Sequence, residues 1–290
     1  MKTFRIVGVP EHFNFPFRIL NQNQPFEKEG IHIEWKEESR GSGQMALDLK
    51  NGDADMAILL TESFLKEFGS NPEVKMAGFH VTTPLTWGIH VNPGHQANQV
   101  ENIVSKHFLV SRMGSGSHLM ALVLAEKMGW EKDTLTFEIV GNLDGAKEAF
   151  VAGNPGMFLW EKYTTAPEVN AFYMKRIGEI QSPWPCFVYV VNEKSIRKFS
   201  SWIPKIRDEV YSISKNLSTD SELPTRLSEA YQLNLEDVES WIKQTRWATK
   251  GKVNRTDLED ILEKTLKFEI LKEKLKVEDF LFLESLEVLG

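Results

Sequence analysis

Over roughly the first 190 residues, short apolar runs alternate with amphipathic stretches, a pattern that predicts α/β architecture. Residues 4–9 and 31–35 read as strands, with a helix over 16–21 between them. The unbroken apolar run 56–60 predicts a buried parallel strand, followed by a helix over 63–68 that Thr61 can cap. Further on, 108–110, 136–140, 157–160 and 174–177 read as strands with helices between them. Asp144 is the expected cap of one of those helices, and Thr165 with Glu168 matches a capping box. Two proline-containing extended segments, near 82–91 and 182–191, bracket the block between them. From Ser195 onward only helical spacing remains, over 202–217, 223–231, 235–247 and 258–271. Charge runs such as 272–276 read as solvated helix faces.

One pattern occurs twice. Ser39-Arg40-Gly41-Ser42-Gly43 and Ser111-Arg112-Met113-Gly114-Ser115-Gly116-Ser117-His118 each place an arginine just before a glycine-serine turn. Each follows a strand-like segment and opens an apolar-periodic helix. A helix start presents unpaired N–H groups and a positive dipole end, and small residues let an anion approach the backbone. Ordinary capped strand-to-helix turns use the same residues, so both readings stand. Neither copy carries the Gly-Lys-Ser/Thr of a nucleotide loop, and the dinucleotide fingerprint is missing.

Composition narrows the function classes. A chain of 290 residues, 41% hydrophobic and 26% charged, has the make-up of a soluble globular protein with room for two lobes. A net charge of −7 argues against general nucleic-acid binding while leaving room for a local small-anion site. The single cysteine, Cys186, excludes an internal disulfide and a cysteine metal cluster. Among seven histidines there is no His-x-x-x-His or Glu-x-x-x-His spacing, so neither a metal nor a cofactor is expected. No apolar stretch is long enough to span a membrane, and residues 1–9 enter a strand pattern without a signal-peptide run. A cytoplasmic protein is therefore the expectation.

Two stretches carry a resemblance: Leu49-Lys50-Asn51-Gly52-Asp53-Ala54-Asp55-Met56-Ala57, and the serine-glycine loop from Ser111 to His118. With the layout of residues 1–191, they resemble the type 2 periplasmic-binding-protein fold. The branch in mind holds the taurine-, alkanesulfonate- and nitrate-binding proteins and the thiamine-pyrimidine-precursor proteins. The resemblance implies a two-lobed α/β Venus flytrap with two crossover hinge strands and a helical C-terminal region packed back on the first lobe. Lobe I is then residues 1–85 plus 188–290, and lobe II residues 86–187.

The resemblance also implies a ligand between the lobes, at strand C-terminal ends and helix N-termini. Carried onto this sequence, that geometry selects Glu11, His12, Phe13 and Asn14, which otherwise form a connecting turn with Phe13 and Phe15 in the core. It selects Arg40 with Gly41, Ser42 and Gly43, and Arg112 with Gly114, Ser115, Gly116 and Ser117. Each guanidinium can clamp an oxyanion bidentately or pair with a nearby carboxylate. The serines can donate to the anion or cap their helices, and His118 can be a neutral contact or a satisfied buried imidazole. Glu62 and Glu161, at strand ends, suit an amine or N-heterocycle. Trp160, and less so Trp87, can stack on a ring or serve packing.

The function expected is that of a cytoplasmic small-molecule-binding protein closing two lobes on a small anionic or zwitterionic metabolite, one that carries a ring or an amine. The alternative is an enzyme of cofactor biosynthesis on the same fold, thiamine-pyrimidine-like or menaquinone-pathway-like. The pyrimidine route is disfavoured because the cysteine-rich iron-binding stretch of those enzymes is missing and no lysine stands out for pyridoxal phosphate. Other chemistry at Glu11, His12 or His118 stays open. The partners expected are a small-molecule ligand, no nucleic acid and no membrane insertion, with any cytosolic protein partner unnamed. An interaction module resting on the C-terminal helices is a third reading.

Overall fold

Alternation in Lys2–Gly8 buries Phe4 and Ile6 on one side of a strand, β1. The computed structural model describes all 290 residues. Continuing along the chain are α1 (Phe15–Asn23), β2 (Ile31–Glu37), α2 (Ser42–Asn51), β3 (Met56–Leu60), α3 (Thr61–Ser70) and an 18-residue strand, β4 (Val74–Val91). Then come β5 (His107–Val110), α4 (Gly116–Met128), β6 (Thr136–Ile139), α5 (Leu143–Val151), β7 (Met157–Glu161) and α6 (Ala166–Asn170). A second 18-residue strand, β8 (Lys175–Asn192), precedes the helices α7 (Glu193–Phe199), α8 (Trp202–Leu217), α9 (Leu223–Tyr231) and α10 (Leu235–Gln244). The chain closes with β9 (Lys252–Asn254), α11 (Arg255–Lys267), α12 (Val277–Phe280) and β10 (Glu287–Leu289), β9 and β10 pairing in parallel.

The contacts divide the chain into two units: residues 1–83, 184–231 and 244–290, and residues 84–183 with 232–243. In the first, β1 runs parallel to β2 along its whole length and to β3 at Ile6↔Met56, while β3 pairs antiparallel with β8. Met56, Ala57, Ile58 and Leu59 are all fully buried, as an apolar run covered on both faces requires. Arg5 fixes the β1–β3 register by forking onto Asp55 at 3.0 and 3.2 Å, while the Asp55 N–H donates to the Arg5 carbonyl. Arg207 on α8 is buried and donates to the carbonyls of Ala77 and Ser285, tying the end of the chain to β4.

In the second unit β7 lies between β5, parallel at Leu109↔Phe158, and β4, antiparallel at Trp87↔Glu161; β6 flanks β5. One face is packed by Leu109, Ala146, Phe150, Phe158 and Met174. Residues 232–243 group here and not with the other C-terminal helices: the hydroxyls of Tyr163 and Ser240 lie 3.1 Å apart, and Trp241 is buried.

Several local expectations need correction. Asn142, not Asp144, caps α5, its side chain accepting the Gly145 N–H at 3.0 Å. Thr61 is the first residue of α3, and its hydroxyl donates to the Pro185 carbonyl instead of capping. The Thr165 hydroxyl lies 2.9 Å from Nε2 of buried His90, so no capping box forms. The strand expected at 174–177 is the start of β8. The helix expected to reach 247 ends at Gln244, where the Arg246 carbonyl accepts from Thr82 and its N–H donates to Thr83.

Candidate functional site

The candidate residues divide between the two units. In the first, β1 and β3 are parallel, so their C-terminal ends open on the same rim. After β1 the chain makes one 3-10 turn, His12–Asn14, and all three side chains are buried. Phe13 packs 5.1 Å from Phe187, and its carbonyl accepts from His80 Nε2 at 2.8 Å and Trp247 Nε1 at 2.7 Å. His12 stacks on Phe13 at 4.8 Å and meets the edge of Tyr231. Burial pushes its pKa down to about 3, so the ring is neutral. Asn14 donates to the Val9 carbonyl at 2.8 Å, while its Oδ1 is buried without a partner. Glu11, at the head of the turn, is half-buried. A glycine is required just before this turn, because a Cβ at Gly8 would sit 2.8 Å from Asn14 Nδ2 and run into the Trp35 ring.

In the first cradle the arginine is paired with a carboxylate. Arg40 Nε and Nη2 meet the carboxylate of buried Glu38 at 2.7 and 2.6 Å, and the Arg40 N–H adds a third bond at 3.0 Å. These bonds hold the Glu38 carboxyl below the usual carboxylate range. Gly41, at φ +77°, turns the chain into α2 as its N-cap, leaving Ser42 and Gly43 as the first helical residues. Ser42 is not the cap either: its Oγ accepts the Leu60 N–H at 3.3 Å, joining α2 to the end of β3. Glu62, in the first turn of α3, is buried and accepts the Trp184 Nε1–H at 2.8 Å. Burial pushes its pKa up to about 7.

The second unit differs at the matching place. Ser115 caps α4, its Oγ accepting the His118 N–H at 3.4 Å. Ser117 Oγ accepts the Ser111 N–H at 3.0 Å and lies 3.0 Å from Ser115 Oγ. His118 Nδ1 accepts the Gly114 N–H at 3.1 Å, and Gly114 takes φ +73° to allow it. The serine side chains and His118 thus shape the loop, while Gly116 and Ser117, first in the helix, have N–H groups with no acceptor inside it. Arg112 is exposed, and no carboxylate pairs with it. Partial desolvation lowers its pKa, the opposite of Arg40, which Glu38 raises.

Because β5 and β7 are parallel neighbours, the residues after β5 and the end of β7 share one rim. Glu161 ends β7, buried, with Oε2 accepting the N–H groups of Tyr163 at 2.9 Å and Thr164 at 2.6 Å. Desolvation outweighs those bonds and pushes its pKa up to about 7. Trp87 faces it across the β4–β7 pair. Trp160 points to the other face, stacked 5.2 Å from Phe158 against the apolar cluster, which gives it a packing role.

Sequence reasoning missed Trp184 and Trp247, whose indole N–H groups hold Glu62 and the Phe13 carbonyl; neither lies near its partner in sequence, and no spacing signal marks them. No group of three or more His, Cys, Asp or Glu side chains is placed to hold a metal ion. No helix is long and apolar enough to cross a membrane.

The model of the Ca3427-like PBP (periplasmic binding protein) family matches residues 87–180, most of the second unit. Over the whole chain the structure is similar to the Candida albicans CA3427 gene product, described as showing the generic periplasmic-binding-protein fold. The TM-score is 0.88 at 23% identity, covering 100% of this chain and 99% of that one. It is also similar to the alkanesulfonate-binding protein SsuA of Xanthomonas axonopodis pv. citri bound to MOPS, with TM-score 0.76, 14% identity and coverage of 99% and 98%. PhnD1 of Prochlorococcus marinus, in complex with methylphosphonate, gives TM-score 0.62, 11% identity and coverage of 93% and 99%. No curated protein sequence matches the chain. The chain thus has the periplasmic-binding-protein fold, and its residues 87–180 match the Ca3427-like PBP family.

Proposed function

We propose that this protein binds a small molecule carrying an oxyanion, and that the oxyanion seats on Arg112 and the N-terminus of α4. The observation that carries this reading is the contrast between two arginines in matching sequence contexts. Arg40 is neutralised by Glu38, whereas Arg112, whose pKa no carboxylate raises, belongs to the turn that leads into α4, two of whose N–H groups have no acceptor inside the helix. A planar guanidinium next to a positive helix end recognises a sulfonate, phosphonate or carboxylate through charge-assisted bonds. The relatives seen with MOPS and with methylphosphonate hold ligands of that chemistry. In the finer form of the proposal, ligand binding draws the two units together, a population shift driven by contacts made only in the closed form. Calorimetric titration with a panel of sulfonates, phosphonates and carboxylates tests the anion reading. At least one should bind the native protein and lose affinity in Arg112→Ala; equal binding by the variant would sink it. Small-angle scattering with and without that ligand tests closure, which predicts a smaller radius of gyration when bound.

A further inference from the structure

Trp87 and Glu161 stand directly opposite one another in the antiparallel β4–β7 pair, so their side chains leave the sheet on one face about 5 Å apart. Trp87 is 5% exposed, and its indole N–H is buried with no acceptor. Such a donor is destabilising if nothing ever answers it, and native structures retain few of them. Glu161 is 3% exposed; the N–H groups of Tyr163 and Thr164 both donate to Oε2, the Thr164 hydroxyl also lies against the carboxylate, and Oε1 keeps capacity for a further donor. One face therefore presents a donor that lacks an acceptor beside an acceptor with room for another donor.

We propose that Trp87 and Glu161 form a subsite for an amide-type edge, the indole N–H donating to a carbonyl oxygen and Glu161 Oε1 accepting the adjoining N–H. The alternatives each leave something unanswered. An ammonium group would satisfy Glu161 and leave the indole N–H bare. A second oxyanion would satisfy the indole and set acceptor against acceptor at Glu161. A group that both accepts and donates meets both; a single hydroxyl must do so from one atom, whereas a carboxamide or urea places its acceptor and its N–H side by side, one for each partner. The inference deepens the proposed function and rests on it for one point, that the same rim takes the ligand. Strand β5, which leads to Arg112 and α4, is the next strand beyond β7, one step of about 5 Å. A short linker between amide and oxyanion spans that step.

Two probes of equal chain length isolate the amide: N-acetyltaurine, and pentane-1-sulfonate, in which methylenes replace C=O and N–H. Calorimetry on the full chain should show N-acetyltaurine binding roughly tenfold or more tightly, the worth of about two matched hydrogen bonds. In Trp87→Phe and in Glu161→Gln that preference should shrink to about twofold or less while pentane-1-sulfonate binds as before; in Arg112→Ala both probes should weaken together. Equal affinity of the native protein for the two probes, or an undiminished preference in Trp87→Phe, overturns the proposal. A second measurement keeps it separable from the oxyanion reading. In the 15N–1H spectrum of the indoles, the Trp87 peak is the one missing from Trp87→Phe. Acetamide, which carries no anion, should shift that peak in the native protein and much less in Glu161→Gln. A peak that acetamide leaves in place means only water meets this indole, and overturns the amide subsite whatever the sulfonates do.

Discussion

Glu38 grips Arg40 through three hydrogen bonds of 2.6 to 3.0 Å, and this pair makes the two Ser-Arg segments unlike. In the second segment the position two residues before the arginine is Val110, which is buried and uncharged. The repeat is therefore one of residue types, shared neither in charge nor in the way the helix is capped. Replacing Arg112 by alanine should weaken binding of a sulfonate or phosphonate about ten- to a hundredfold, the usual worth of a charge-assisted bond. Replacing Arg40 should change affinity by less than about twofold, because that cation is already committed. Titration of the two variants side by side decides it.

Glu62 makes stability depend on pH in an unusual direction. Its folded pKa of about 7 lies above the ordinary 4.5, so between those values the folded protein holds a proton that the unfolded chain has released. Stability contributed by this group is present below pH 4.5 and is lost as pH rises through 7, by up to about 1.4 kcal/mol per pH unit. In Glu62→Gln the side-chain oxygen can still accept from Trp184 without ever ionising. The variant should therefore lose less stability between pH 5 and pH 8 than the native protein, as read by urea unfolding.

The buried imidazoles work the other way. His80 and His90 have folded pKa values of about 4, set chiefly by burial, against 6.5 for an exposed ring. Below pH 6.5 the unfolded chain takes up protons that the folded rings refuse, so stability falls with pH until about pH 4. His80→Gln should remove roughly 2 kcal/mol of the difference between pH 7 and pH 5. Its overall stability should drop, because Nε2 of His80 donates to the Phe13 carbonyl and Nδ1 accepts from Tyr189. A pH difference unchanged from the native protein would mean that the ring is protonated when folded.

At Gly8 the limit is space. Alanine there would force aside Asn14 and Trp35, and Trp35 is stacked flat on Phe17 at 4.8 Å. Gly8→Ala should cost about 1–3 kcal/mol, and because Asn14 heads α1, chemical shifts over residues 11–17 should move with it.

Much of this architecture is legible one segment at a time. The run 56–60 reads as a strand covered on both faces, and the two proline-containing extended segments do lie in β4 and β8. Choices between near-equal neighbours are not legible: Asn142 and Asp144 can both cap a helix, and tertiary placement selects the first. The candidate site divides along the same line. That Ser115 caps α4 follows from local residue types, and even Glu38 beside Arg40 was open to a reader weighing charge. The Trp87–Glu161 pairing was not, because it depends on the register of two strands that are distant in the chain. The contacts of Trp184 and Trp247 depend on tertiary packing in the same way.

Arg207 anchors the end of the chain. Its guanidinium is buried and answers the carbonyls of Ala77 and Ser285 together. Arg207→Met would leave both without their donor, at about 3 kcal/mol or more, and should free residues 282–290 for early cleavage in limited proteolysis. Cleavage no faster than in the native protein would mean that β9 and β10 hold the terminus unaided.

The interleaving of the two units has a consequence during synthesis. Residues 84–183 leave the ribosome as one continuous stretch, but their unit also needs 232–243, and the other unit needs chain on both sides of that segment. Neither can reach its final form while the C-terminal quarter is still inside the exit tunnel. Until residues 187–191 emerge, β1, β2 and β3 wait as a half-made sheet without the β8 segment that covers β3. A waiting sheet of this kind exposes an apolar edge, so a ribosome stalled anywhere before residue 184 would hold a nascent chain in need of a chaperone.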